Sequence, residues 1–121
     1  MYKISTDSSR NLVILTLIGM LTGHELTAMY AEETAAVQAM GCNLGEHIVL
    51  ADLTEYSIQT QDISAAIQRL VAQKGTAKRV AMVTGSSLAK MQARRIAISQ
   101  VAQVFTNRAT ALEWLLADDE G

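Results

Sequence analysis

Between Asp62 and Glu113 the chain has no acidic residue, yet eight of its ten lysines and arginines fall there: Arg69, Lys74, Lys78, Arg79, Lys90, Arg94, Arg95 and Arg108. The acids crowd into the first half and the tail. A formal net charge of -2 therefore conceals a polarised chain. Segregation of this kind can build a surface that attracts phosphate, an acidic protein or an anionic lipid head. The densest part is Lys90, Arg94 and Arg95, spaced i, i+4 and i+5, so that two or three share one side of a helix. A solvated basic face is the plain reading, and contact with an acidic partner or head group is the functional one. Nucleic acid is a poor fit, because the pI is 5.6 and no aromatic residues interleave with the basic ones.

Residues that could break or make bonds do not converge. Cys42 is the single cysteine, so no intrachain disulfide forms, and beside Gly41 and Asn43 it reads as a small packed side chain. His24 and His47 have no metal-ligand spacing with it. Glu25 is used by a helix cap, and Glu32 and Glu33 read as a solvated helix face. Gly85-Ser86-Ser87 with Lys90 could cradle a phosphate at a helix start. It lacks the G-x-x-x-x-G-K-[ST] and G-x-G-x-x-G patterns, and no G-x-S-x-G elbow supports a hydrolase. No catalytic residue, metal or cofactor is expected. Asp52, at the end of an apolar run, is the remaining candidate. With Thr54, Ser57, Thr84 and Ser86 it is expected at the carboxyl ends of strands, where ligands of open α/β sheets gather. The plainer alternative has Asp52 capping its own loop.

The elements that must position these groups follow from periodicity. Tyr2–Thr6 alternates as a strand, Asp7–Asn11 is a turn cluster, and Leu12–Ile18 is a β-rich partner. Thr22-Gly23-His24-Glu25 is a capping box that opens a helix carrying Leu26, Met29, Tyr30, Val37 and Met40, with Gly41 as its stop. His47–Leu53 reads as a strand covered on both faces, and Thr54–Gln61 as a polar turn. Ile63, Ile67, Leu70 and Val71 mark a second helix, closed by Gly75. Arg79–Thr84 is a short buried strand. A weakly amphipathic helix runs from Leu88 to about Ile98, and Val101–Thr106 is the last strand. Asn107 caps a final helix with Leu112, Trp114, Leu115 and Leu116. The order ββαβαβαβα implies an α/β fold. A mostly parallel mixed sheet of about five strands, with about four helices, follows an N-terminal antiparallel hairpin. At 121 residues the chain makes one domain, residues 1–117, followed by a frayed acidic tail at 118–121. No apolar run is long enough to span a membrane, and with no basic leader or cleavage site the cytoplasm is expected.

Three segments carry a resemblance across nearly the whole chain. They are Gly19-Met20-Leu21-Thr22 after the early strand, Val49-Leu50-Ala51-Asp52-Leu53-Thr54, and Arg79-Val80-Ala81-Met82-Val83-Thr84 with Val104-Phe105 and Ala111-Leu112-Glu113-Trp114-Leu115. In order and spacing the chain resembles the small stand-alone bacterial SpoIIAA-like proteins. That group includes STAS domains and is related to the CRAL-TRIO lipid-binding fold. The resemblance implies a phosphorylatable Ser or Thr after the Asp52-Leu53-Thr54 strand end. The usual Asp-Ser-Ser-Gly context is absent, and Ser57, Thr60 and Ser64 are the nearest hydroxyls.

Two functions from different classes stand open. One is a non-catalytic regulatory or protein-interaction module of STAS type. The other is a binder or carrier of a small apolar or lipid-like ligand. The helix from Leu88, with apolar groups on two sides, is expected to form a homodimer contact or to roof an apolar pocket.

Overall fold

The computed structural model describes residues 1–43, 45–56, 60–63, 65–66, 77–85 and 102–117. A five-stranded sheet is built from β1 (Tyr2–Asp7), β2 (Leu12–Gly19), β3 (Ile48–Tyr56), β4 (Arg79–Thr84) and β5 (Ala102–Phe105), in that spatial order. β1 and β2 pair antiparallel and every later pairing is parallel. Helix α1 (Gly23–Ala39) follows β2, and helix α2 (Arg108–Leu116) ends the described chain. Residues 61–63, 65 and 66 are helical, at the start expected for the second helix. The helix expected from Leu88 to about Ile98 lies outside the described residues.

The hairpin turn is closed by its own side chains. The Asp7 carboxylate accepts from the Ser9 amide at 3.2 Å and from its hydroxyl at 2.6 Å, and Asn11 takes the left-handed conformation at φ 52°. α1 begins with the capping box read from the sequence: Glu25 N donates to Thr22 Oγ1 and Thr22 N to Glu25 Oε1, both at 3.1 Å. Gly41 ends it at φ 81°, donating to the Gln38 carbonyl at 3.0 Å, a conformation that disfavours a Cβ.

Strand alternation divides the core in two. Val13, Leu15, Leu17, Val49, Ala51, Leu53 and Met82 point to a first face, beneath Leu26, Met29 and Val37 of α1. Leu12, Ile48, Leu50, Ala81 and Val83 point to a second face, beneath Ala111 and Leu115 of α2. Leu50 is completely enclosed. Burying a side chain of that size contributes about 2 kcal/mol. α2 is also held at its far end by Arg79. Its Nη1 donates to the Trp114 carbonyl at 2.7 Å and to the Ala117 carbonyl at 3.2 Å, with the guanidinium 5.4 Å from the centre of the Trp114 ring.

Three expectations are corrected. β3 does not stop at Leu53 but runs to Tyr56, taking over part of the segment read as a turn. The ladder to β2 shifts between Thr16 and Ile18: Thr16 pairs with Asp52, but Ile18 pairs with Glu55. One extra residue is thus accommodated in β3, and such a bulge lets a polar strand end stay paired. Glu33, read as a solvated residue, has a side chain only 15% exposed. It falls on the helix stripe of Met29 and Val37, and its Oε1 stands 3.9 Å from Nε2 of His47. His47 is fully enclosed and precedes β3 rather than starting it. Burial, and after it the nearby Glu33 carboxylate, push the Tyr30 phenol above its ordinary pKa.

Candidate functional site

The β3 bulge builds the polar feature at the carboxyl ends of the parallel strands. With the ladder interrupted, the Thr54 amide is turned to a local partner, the Asp52 carboxylate. Thr54 donates to Asp52 Oδ1 twice, from its amide at 3.0 Å and from its hydroxyl at 2.7 Å. Asp52 therefore does cap its own strand end. Its second oxygen remains available and faces Nη1 of Arg108 at 3.6 Å. The Asp52 side chain is 17% exposed and that of Arg108 50% exposed.

Magnitudes separate the two contacts. The paired Thr54 bonds are short and one-sided, so they set the carboxylate's orientation. The Arg108 contact is longer and half in water, a class of ion pair worth about 0–1 kcal/mol. Arg108 is easily drawn away by a competing acid. The signal for it lies in its position just after Asn107, whose Oδ1 caps α2 by accepting from Ala109 N at 2.7 Å and Thr110 N at 3.2 Å. A cation in the first turn opposes the helix dipole and calls for a nearby carboxylate. In the sequence Arg108 stands out only as one member of the basic run.

Asp52, Thr54 and Thr84 share an edge but not a face. Asp52 pairs with Val83 and lies on the α2 side, whereas Thr84 pairs with Leu53 and turns to the α1 side. The Thr84 hydroxyl is buried and has no hydrogen-bond partner among the described residues. Gly85 follows against the bulge: a Cβ there would stand 3.3 Å from the Thr54 carbonyl oxygen. Its lack of a side chain lets β4 close on the widened strand. Ser57, Ser86, Lys90, Arg94 and Arg95 lie outside the described residues. Of the basic run, Arg79 and Arg108 are brought to opposite ends of α2, the first on carbonyls and the second beside Asp52. Among the described residues no group of three or more His, Cys, Asp or Glu could hold a metal ion, and no helix is long and apolar enough to cross a membrane.

No family model matches the chain, and no curated protein matches it. Among solved structures it is similar to an uncharacterized DUF3478-family protein with a SpoIIAA-like fold from Shewanella loihica PV-4. The TM-score is 0.70 at 19% sequence identity, over 95% of this chain and 92% of that one. With the mixed sheet and leading hairpin, the likeness establishes a SpoIIAA-like fold.

Proposed function

We propose that the chain is a non-catalytic protein-interaction module of STAS type, working through the carboxyl-end rim of β3 and the start of α2. The observation that carries this reading is the Asp52 carboxylate, fixed by Thr54 and facing the half-exposed Arg108 across 3.6 Å. A preset carboxylate beside a weakly held guanidinium suits exchange with a partner. An acidic side chain of the partner replaces Asp52 on Arg108, and Asp52 accepts a donor from the same partner. The SpoIIAA-like fold supports the regulatory class of this reading by analogy of architecture.

The test compares proteins captured from a native extract by the wild type, Arg108→Glu and Arg108→Lys, with thermal unfolding as a fold control. A partner held by the wild type, weakened by the lysine variant and lost with the glutamate variant supports the rim. A partner held equally by all three removes it. Native mass spectrometry on the same preparations distinguishes the carrier alternative, since a co-purifying apolar molecule of fixed mass would transfer the proposal to that class.

A further inference from the structure

Among the described residues the second face of the sheet is covered mainly on the side of β3, β4 and β5. α2 packs on β3, β4 and β5, while α1 packs on β1 and β2 from the first face. Among the described residues this leaves the second face of the hairpin uncovered beyond Leu12, which is buried in the α2 cluster, and the ladder fixes which residues line it. Ser5 pairs with Ile14, Lys3 with Thr16 and Thr16 with Asp52. In the next row Met1 exchanges backbone bonds with Ile18 at 2.8 and 3.1 Å, and Ile18 pairs with Glu55. Paired residues share a face. This surface thus has an apolar centre of the half-buried Ile14 and Ile18, the first packed against the α2 cluster, and the 56%-exposed Met1, with Lys3 on one flank and the largely buried Asp52 and the exposed Glu55 on the other. Lys3 and Glu55 are exposed, and among the described residues neither has an ion-pair partner.

We propose that this face binds a second copy of the chain, forming a weak twofold dimer through the β1–β2 hairpins. The charge pattern selects both the occupant and the axis. A twofold axis parallel to the strands lays one hairpin over the other and brings the isoleucines together. It also turns Lys3 of each copy toward the Asp52–Glu55 flank of its mate. A twofold axis across the strands sets lysine against lysine. Sheets packed in the aligned way approach to about 10 Å, within reach of lysine and glutamate side chains from opposite sides. The self-complementary surface thereby forms two equivalent ion-pair sets around one apolar centre.

Sedimentation velocity tests the dimer on the full chain. At about 100 micromolar and low salt the wild type should approach twice the 13.1 kDa chain mass, and raising salt to about 0.5 M should weaken it. Lys3→Glu and Glu55→Lys should each weaken association by about tenfold or more, since each turns two attractions into two repulsions. An equal mixture of the two variants should recover much of the dimer, because both cross-pairs between positions 3 and 55 are again of opposite sign. Both positions are exposed, and circular dichroism checks that the variants fold. The flank shares Asp52 with the proposed rim, but neither substitution touches Asp52, Thr54 or Arg108, and self-association is read on the purified chain without any partner, so the two readings fail separately. A wild type that stays monomeric at that concentration overturns the inference, and so does a dimer unaffected by either change or a mixture that fails to recover.

Discussion

Replacing Arg79 with methionine tests the fastening of α2. The substitution keeps an unbranched apolar stem against Trp114 but removes the guanidinium. Two donated bonds to carbonyls are lost, at 2.7 and 3.2 Å, along with the stacked cation 5.4 Å from the ring centre. A hydrogen bond from a charged donor contributes about 1.5–3 kcal/mol, and a partly exposed cation–π contact about 0.5–1 kcal/mol. These overlap in one group, and water recovers part of the carbonyl bonding, so the net loss should be about 2 kcal/mol. For a domain of this size that lowers Tm by about 8 °C. Urea denaturation gives the free energy, and the fluorescence of the single tryptophan, Trp114, reports on the site itself. Arg79→Lys should recover less than half of the loss, since an ammonium neither reaches two carbonyls in a fixed fork nor stacks as a plane. If the methionine variant is within about 0.5 kcal/mol of wild type, or lysine restores full stability, the clamp has been misread.

Other changes probe the core, the rim and the acid limb. Leu50→Ala removes a fully enclosed side chain beneath α2 and should cost about 2–5 kcal/mol, read as a lower urea midpoint at unchanged slope. Thr84→Val replaces a buried hydroxyl that has no partner among the described residues by a methyl of similar shape, and should leave stability equal or raise it by up to about 1 kcal/mol; a clear loss would mean the hydroxyl is bonded in solution. Hydrogen bonding to Ser9 lowers the Asp7 pKa, and the N-terminal amine, followed by the Thr22 amide, lowers that of Glu25. Folded-state values below the unfolded ones mean that their stabilisation is complete above the unfolded carboxylate range and is lost as pH falls through the folded values. The urea midpoint should therefore drop below about pH 4, and Glu25→Gln should flatten that limb; a wild-type midpoint constant down to about pH 2.5 would contradict the assignment.

Local chemistry made much of the fold legible. A capping box, an asparagine cap, the Asp7–Asn11 turn and the period of each apolar run all act within a few residues, so Thr22, Glu25 and Asn107 declare their roles without tertiary information. The mainly parallel sheet and its leading hairpin followed from alternation of the same elements. The candidate rim was legible in part. Asp52 and Thr54 were marked by their place at a strand end, while Arg108 was hidden in a run of like charges, more than fifty positions from its partner along the chain.

What the chain determined alone was which residues enter which element, because hydrogen bonding and apolar periodicity there are set by near neighbours. What only the folded molecule decided was pairing across the sheet. The extra residue accommodated in β3 depends on where β2 and β4 lie beside it, and it is this register that aims Asp52 at Arg108 and sends Thr84 to the other face. Glu33 came to face His47 for the same reason: position on a helix limits where a carboxylate can point, but only packing against the sheet decides what stands in front of it.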